Sequence, residues 1–430
     1  MHLLRVTGSA AIAAVTFCLS LSAQTTVLVL DNVRLFAGTG GPVVPDARIV
    51  VEGNRIVSAG PGASVPVPGG ANRIDLRGAT VLPGLIDLHY HIEKDPKLAL
   101  RQLANGVTSF RDPGAWFEPF EPLKRMIADE RLPGPRLFLC GPHIDGDHPA
   151  YPHDAVVARD PEEARQFAER SIAQGANAIK IYFRLSLASA RAVIDVCRAR
   201  GVACTAHLEI LDARDLLRAG LHGVEHITSF GTAIVPQRRA EQYRQAVLAD
   251  NGARRDGRYQ LFAEADLDGP EARELYKTIE ETRPFVDPTL AVFEAQAGDK
   301  PPTGSALTAE TRARGFEAMQ QLAVRLHRHG ARLVVGGHTE VPHAGRGEAP
   351  WRELELLVDA GLTPTEALTA ATANAAAFLG RTDLGTIAPG RLADLIVVDG
   401  DPTTDISQIR RVSRVMVDGI WIERDRYRDY

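Results

Sequence analysis

The chain has 430 residues, enough for two or three domains or for one large barrel with an attached domain. Apolar residues make up 45% and charged residues 24%, which excludes disordered, collagenous and disulfide-stapled classes. The 49 basic side chains are balanced by 54 acidic ones, so no positive field attracts nucleic acid or an anionic membrane surface. Neither is expected as a partner.

The first residues have the pattern of a secretory signal peptide. Arg5 precedes an apolar stretch over 6–21, and small residues follow, so cleavage is predicted before Gln24 with residues 1–23 removed. An uncleaved membrane anchor is the alternative, but the stretch is short for a membrane span. The sequence therefore predicts an exported protein, periplasmic or extracellular, without membrane contact after cleavage.

Both ends of the remaining chain read as short strands separated by turn residues. The first end contains VLVLDNVRLF and DARIVVEGNRIVSAG, in which Gly53-Asn54 marks a hairpin turn, and the far end contains LADLIVVDG and RVMVDGIWIE. Neither end alone has enough strands to bury a face. We therefore expect residues 24–82 and 381–430 to pair into one small β-sandwich domain.

Between these ends, residues 83–380 alternate between strand and helix patterns. No Gly-rich phosphate loop follows the first strand, so the alternation favours an α/β fold of the (β/α)8 TIM-type barrel over an open doubly wound sheet. Residues 236–283 are too long for an ordinary connection and predict a helical insertion over the barrel mouth. The strand candidates are 81–91, 107–112, 136–144, 177–183, 202–208, 222–227, 284–292 and 332–337.

The first barrel strand ends in Asp87-Leu88-His89-Tyr90-His91. Side chains two positions apart on a strand point the same way, and catalytic groups of this fold lie at the C-terminal strand ends. His89 and His91 can therefore bind one ion, and two imidazoles suit zinc or a similar divalent metal. Two ordinary strand histidines are the alternative for this motif taken alone.

Lys180 lies in the apolar strand Ala178-Ile179-Lys180-Ile181-Tyr182. Strands of a parallel barrel are buried on both faces, so an unpaired ammonium there must be neutralised, paired or modified. Desolvation lowers the pKa of a lysine, and the neutral amine can react with carbon dioxide to give a carbamate that bridges two metals. The alternative is a lysine whose ammonium extends from the strand end toward an acidic neighbour.

His207 and His226 each close a strand, in TAHLE and VEHIT. Side chains at the ends of successive barrel strands converge on the barrel axis, so these two are candidates for a second metal position. His222 opens its strand and is expected at the opposite end of the barrel.

The order of HxH, Lys, His and His inside a barrel flanked by a split β domain resembles the amidohydrolase superfamily, in its imidazolonepropionase-like and prolidase-like branch. The resemblance covers nearly all of the chain after the signal peptide. Stretches similar to this branch are VLPGLIDLHYH, GANAIKIYF, ELELLVDAGLTPTEALTAATANAAAFLG and LGTIAPGRLADLIVVDGDP.

The resemblance implies a centre of two divalent ions, expected to be zinc. His89 and His91 would hold one ion, His207 and His226 the other, and carboxylated Lys180 would bridge them. Water activated there would attack a carbonyl, so the implied activity is hydrolysis of a C–N bond in a small-molecule substrate. Family members commonly associate, which makes a homo-oligomer a further expectation.

The sequence departs from the family at the end of strand eight. The expected Gly-Thr-Asp is replaced by Gly336-Gly337-His338, so His338 occupies the place of an aspartate that serves as metal ligand and general base. A neutral imidazole can do both. Glu340 would face the same way if the strand continued and would then supply the missing carboxylate. The alternative is a site that binds metal without catalysing.

Several other residues are expected around the pocket, with Tyr182 taking part in catalysis beside His338 and Glu340. Arg184, or else Arg346, would pair with a substrate carboxylate, although each arginine is equally consistent with a surface cation. The expected substrates are amides that carry a carboxylate, such as Xaa-Pro dipeptides or N-acyl amino acids, with esters and lactones as alternatives. The substrate-binding candidates are His143, His153, Arg184 and His343.

Overall fold

A computed structural model describes residues 27–91, 97–129 and 133–428. The predicted signal peptide, residues 1–23, lies outside the described residues and stays a prediction. Within the described ranges, no helix combines the length and the apolar character needed to cross a bilayer.

The chain begins with strands of the β domain. Val29 and Leu30 of the first strand are fully buried, and the hairpin predicted at Gly53-Asn54 connects the second strand to the third. The strands are β1 (Val27–Leu35), β2 (Val44–Glu52), β3 (Arg55–Pro61), β4 (Asn72–Asp75) and β5 (Thr80–Pro83).

The barrel follows, and each of its eight predicted strands contains an observed one. Parallel pairing forms two groups, and Asn177 N donates to Leu139 O (2.7 Å) to join them on one side while Leu88 N donates to Val335 O (2.8 Å) on the other. The barrel is therefore closed. Its strands are β6 (Leu85–Asp87), β7 (Val107–Asp112), β8 (Arg136–Leu139) with the short β9 (His143–Asp145) and β10 (Ala155–Val157), β11 (Ala178–Ile181), β12 (Ala203–His207), β13 (Gly223–Glu225), β14 (Phe285–Asp287) and β15 (Arg332–Leu333).

Helices cover the outside of the barrel. Their starts follow local capping chemistry: the Asp160 side chain accepts from the amides of Glu162 and Glu163, and Thr363 with Glu366 forms a complete capping box. The helices are α1 (Lys97–Ala104), α2 (Glu121–Asp129), α3 (Pro161–Ala173), α4 (Leu187–Arg200), α5 (Ala213–Arg218), α6 (Gln237–Ala249), α7 (Arg254–Glu264), α8 (Pro270–Thr282), α9 (Leu290–Phe293), α10 (Ala309–Arg328), α11 (Ala349–Asp359), α12 (Pro364–Thr369), α13 (Ala375–Phe378) and α14 (Arg424–Arg428).

The predicted insertion, residues 236–283, is helical and consists of α6, α7 and α8. Helix α8 packs against α5 beside the barrel and leads into β14, as an ordinary barrel helix does. Helix α7 instead places Arg254 and Arg258 in the wall of the cavity at the barrel mouth. Within the predicted insertion, the residues that line the cavity at the mouth come from α7, so the part that covers the mouth is shorter than the sequence indicated.

The far end of the chain completes the β domain with β16 (Leu395–Val398), β17 (Val412–Val417) and β18 (Ile420–Trp421). Antiparallel pairing of β16 with β5 joins the two ends of the chain, and the strand order is β18-β17-β16-β5-β1-β2-β3, with β4 beside β1. Arg136 of β8 then ties the barrel to this domain, because its Nε lies 2.8 Å from Asp394 and its Nη2 lies 2.5 Å from Asp418.

The buried carboxyl of Glu353 in α11 is expected to make the stability of the fold depend on pH. The carboxyl is fully buried, its Oε2 accepts from Ala291 N at 2.7 Å, and burial raises its pKa to about 8. Between its ordinary pKa of 4.5 and this raised value, the folded state binds more protons than the unfolded state, so stability falls as pH rises. We expect Glu353→Gln to remove this decline. Between pH 5 and pH 8, its free energy of unfolding should rise relative to that of wild type by at least about 1 kcal/mol, as measured by thermal unfolding. The exposed Glu317→Gln is the control, and parallel pH curves for wild type and Glu353→Gln would contradict the assignment.

Candidate metal centre

Five imidazole rings meet at the C-terminal end of the barrel. The ring of His89 lies with its centroid 4.5 Å from that of His226, 5.1 Å from that of His338 and 5.2 Å from that of His91. The ring of His207 is 4.5 Å from that of His226. Strands β6, β12, β13 and β15 end here, and this common edge brings together histidines that are far apart in sequence.

His89 is completely buried at the middle of this cluster. Its Nδ1 lies 2.8 Å from Glu225 Oε2 and 3.2 Å from Asp287 Oδ2, whereas its Nε2 has no hydrogen-bond partner among the described residues. Nitrogens of His89, His226 and His338 lie within 4.8 Å of one another, and so do ligand atoms of His89, Glu225 and Asp287. Carboxylates that orient a ligating imidazole from its far nitrogen are typical of protein metal sites.

The other two buried histidines are held in the same manner. His207 Nε2 lies 3.0 Å from Glu209 Oε1, and its Nδ1 has no partner among the described residues. His226 Nδ1 lies 2.6 Å from Thr289 Oγ1. In each ring one nitrogen is fixed by a polar neighbour, which leaves the second nitrogen available to an ion.

The electrostatics favour neutral, ligating histidines. Burial, together with the positive charge of Lys180, holds the pKa of His89 well below its usual value. Burial likewise lowers the pKa of His207 to about 4 and that of His338 to about 3. Neutral imidazoles with unpartnered nitrogens, next to the unpartnered Oδ1 of Asp287, form a donor set that fits a divalent ion.

A buried ion pair lies beneath the histidines. Arg111 is 1% exposed, and its Nη2 donates to Glu225 Oε1 at 2.7 Å. Burial alone would raise the pKa of Glu225, but the positive charges of Arg111 and Lys180 lower it to about 2. Burial and the Glu225 charge raise the pKa of Asp287 well above its usual value. The surroundings therefore shift the pKa values of Glu225 and Asp287 in opposite directions.

Lys180 is 3% exposed and faces the same cavity. Burial lowers its pKa, although the negative charge of Glu225 opposes the shift. The described residues offer its ammonium no hydrogen bond or ion pair, and its Nζ lies 5.6 Å from the ring centroid of Tyr182. The sequence alternative, an ammonium paired with an acidic neighbour at the strand end, is thus not what the structure contains.

The backbone is strained where the last strand meets the first. His226, His338 and Thr339 have φ values of 64°, 55° and 62°, a region that non-glycine residues rarely adopt. The Thr339 hydroxyl accepts from His91 N at 2.8 Å and donates to His91 O at 3.0 Å. These contacts turn the chain at His338 and fix its ring beside His89.

This turn overturns the expectation for Glu340. Strand β15 ends at Leu333 and the backbone turns at His338 and Thr339, so Glu340 is exposed and does not line the cavity. The carboxylates that accompany the histidines are instead Glu225 and Asp287, from neighbouring strands. The sequence contained a local sign of both, because each is the last residue of its strand, as Asp112 is in β7.

The histidine cluster opens into a cavity of about 320 Å³. Tyr182 lies in its wall, and its ring packs 4.3 Å from that of His143, which is also in the wall. The rim carries the half-exposed aromatic side chains of Trp116 and Tyr151. The lining residues are His91, Asp112, Gly114, Ala115, Trp116, Pro119, His143, Tyr151, Asp154, Lys180, Tyr182, His207, His226, Arg254, Arg258, Val292, Phe293 and His338.

Three expected substrate-binding residues lie elsewhere. The Arg184 guanidinium donates to Asn251 Oδ1 at 2.7 Å and to Val247 O at 2.9 Å, so it anchors the end of α6. His343 Nε2 pairs with Asp299 at 3.1 Å, and His153 is exposed with its carbonyl accepting from the Trp116 indole. The Arg184 and His343 side chains are bonded to partners distant in sequence, which no local pattern reveals, and the His153 side chain is exposed.

Part of the sequence is similar to proteins of the amidohydrolase family. A model described as the amidohydrolase family matches residues 307–422. An imidazolonepropionase from Cereibacter sphaeroides is 41% identical over 66 residues, which are 15% of this chain and 16% of that enzyme. The matched part is therefore about a sixth of that curated relative.

Solved structures match over far more of the chain. A putative prolidase from Bifidobacterium longum has a TM-score of 0.71 and 25% identity, and the match covers 94% of this chain and 98% of that one. An Xaa-Pro dipeptidase with methionine bound in its active site has a TM-score of 0.71 over 93% of this chain and 100% of that one. At 22% identity, this second likeness concerns the fold.

The Arg111–Glu225 pair can be tested through stability. Arg111→Met leaves the Glu225 carboxylate buried without its guanidinium, and we expect the free energy of unfolding to fall by about 3–5 kcal/mol. The double variant Arg111→Met/Glu225→Gln removes the uncompensated charge and should recover part of the loss. Urea unfolding of metal-free protein is the measurement. Equal losses in the single and double variants would show that shape rather than charge is responsible.

Proposed function

We propose, since the chain belongs to the amidohydrolase superfamily, that it is a metal-dependent hydrolase of the C–N bond in a small amide that carries a carboxylate. Xaa-Pro dipeptides and N-acyl amino acids are the proposed substrates. The observation that carries this proposal is the set of unpartnered ligand atoms on His89, His207 and Asp287 beside a cavity large enough for a small molecule. The likeness to a putative prolidase, at 25% identity, supports the substrate class.

The residues that would hold the metal are the histidine cluster and the adjoining carboxylates. His89, His226 and His338 offer one set of nitrogens, and Glu225 and Asp287 adjoin His89. We propose two zinc ions, with His91 and His207 completing the set. A bound zinc ion supplies Lewis acidity, which polarises a carbonyl and lowers the pKa of water.

Lys180 is proposed to bridge the ions as its carbamate. The neutral amine would add to carbon dioxide: the Nζ–C bond forms as one C=O π bond opens to a C–O⁻, and the proton lost from Nζ passes to water. Burial and the lowered pKa favour the neutral amine that this addition requires. The carbamate would also replace the buried positive charge with a negative one beside the metals.

The chain's own residues are proposed to move the proton during cleavage. The imidazole of His338, neutral because burial lowers its pKa to about 3, takes the position where the family has an aspartate. Asp287 presents its unpartnered Oδ1 next to His89 and can share the proton. Tyr182 packs against His207, with ring centroids 4.8 Å apart, and helps to shape the reacting end of the cavity.

Metal content tests the proposed centre. We expect the mature protein to hold about two ions per chain, and His89→Ala or Lys180→Ala to hold about one or fewer. Glu340→Ala, which changes an exposed side chain of the same region, should retain the wild-type content. Elemental analysis after exhaustive dialysis is the measurement. A wild type without bound metal would refute the centre.

Turnover tests the activity separately. A panel of Xaa-Pro dipeptides and N-acyl amino acids, with matched esters and lactones, is followed by product analysis with and without chelator. We expect chelator-sensitive cleavage of amides, and a loss of at least about 100-fold in kcat for His338→Ala. Metal-replete protein that cleaves only esters or lactones, or cleaves nothing, would refute the amide assignment.

A further inference from the structure

One arginine in the cavity wall has no balancing charge. Arg254 begins α7, is 5% exposed and lines the cavity that also contains Lys180 and the histidines. One Nη2 hydrogen bond reaches Tyr151 Oη at 3.0 Å, and Nη1 donates to Asn251 O. No carboxylate among the described residues pairs with its guanidinium.

The neighbouring arginine in the same wall, unlike Arg254, is paired with a carboxylate. Arg258, one turn further along α7, has its Nη2 2.9 Å from Glu209 Oε1. Glu209 is also bonded by Tyr243 Oη and His207, so its oxygens are fully engaged. This wall therefore has two largely buried guanidiniums but one paired carboxylate, Glu209, which is bonded to Arg258 and not to Arg254, so it carries an excess positive charge.

Other carboxylates of the lining do not remove this excess. Asp112 lies on the metal side, with Oδ1 3.6 Å from His91 Nδ1. Asp154 is exposed at the rim. A buried cation without a counter-ion is costly, and an anionic ligand that enters the cavity would relieve that cost.

We propose that Arg254 binds the carboxylate of the substrate and thereby sets the preference for anionic amides. This inference rests on the proposed function and identifies the specificity-determining residue of the same cavity. The guanidinium keeps unused N–H donors that suit a planar carboxylate. Trp116, Pro119 and Phe293 in the same wall provide an apolar surface for the uncharged part of the substrate.

The assignment replaces the sequence-based choice of Arg184. The two arginines differ in surroundings rather than in type: the end of α6 uses the Arg184 donors, whereas Arg254 faces the cavity. Because Arg254 lies in the segment that covers the barrel mouth, substrate selection is separate from the strand ends that carry the metal ligands.

The test compares Arg254→Met with Arg255→Met, which alters the exposed neighbour on the same helix outside this cavity. The substrates are the best-cleaved carboxylate of the amide panel and its carboxamide counterpart. We expect Arg254→Met to lower kcat/KM for the carboxylate by about 10- to 100-fold, mainly through KM, and to leave the carboxamide within about threefold. Arg255→Met should match wild type, and Arg254→Lys should keep part of the preference.

A binding measurement separates this inference from the proposed function. Calorimetry with N-acetyl-L-phenylalanine and its carboxamide requires no turnover, so it decides the role of Arg254 even if wild type cleaves no amide. Stronger binding of the acid by wild type and metal-replete Arg255→Met, but not by Arg254→Met, supports the proposal. If Arg254→Met weakens the binding of the acid and of the carboxamide equally, or weakens neither, the proposal is overturned. If the methionine variant does not fold, Arg254→Gln takes its place.

Discussion

The candidate metal centre depends on the contacts of the buried Glu225 carboxylate with Arg111 and His89. The carboxylate accepts from Arg111 at 2.7 Å on one oxygen and lies 2.8 Å from His89 Nδ1 on the other, so it connects strands β13, β7 and β6 across the barrel interior. A carboxylate so deeply buried is tolerable only with a cation beside it, which Arg111 provides. The arrangement fixes the orientation of the His89 ring and leaves its Nε2 without a hydrogen-bond partner among the described residues.

Barrel closure then supplies the rest of the centre. His338 reaches the cluster because its backbone amide donates to His89 O at 2.6 Å while Thr339 bonds both backbone groups of His91. The left-handed backbone at His338 and Thr339 costs about 1–3 kcal/mol at each position, which the closing hydrogen bonds offset. The turn after β15 therefore contributes an imidazole where the sequence resemblance implies an aspartate, and Asp287 of the adjacent strand supplies a carboxylate nearby.

The wall above the metal ligands has a different origin from the ligands themselves. Helices α6 and α7 are inserted between β13 and β14, and they bring Arg254 and Arg258 over the mouth. In the proposed role of Arg254, changes in this segment alter the substrate preference without moving any strand end. The charge that faces the cavity depends on which guanidinium is paired with a carboxylate, and Glu209 is paired with Arg258.

The sequence by itself determined the eight barrel strands, the joining of both chain ends into one β domain and the convergence of His89, His91, Lys180, His207 and His226. These follow from local patterns, since a strand-end residue in a parallel barrel has only one edge to occupy. Only the tertiary structure decided that Glu340 turns outward, that Glu225 and Asp287 accompany the histidines, and that Arg254 rather than Arg184 faces the cavity. The reason is physical: a backbone turn or a salt bridge depends on partners hundreds of residues apart in some cases, and a pattern of neighbours along the chain contains no information on them.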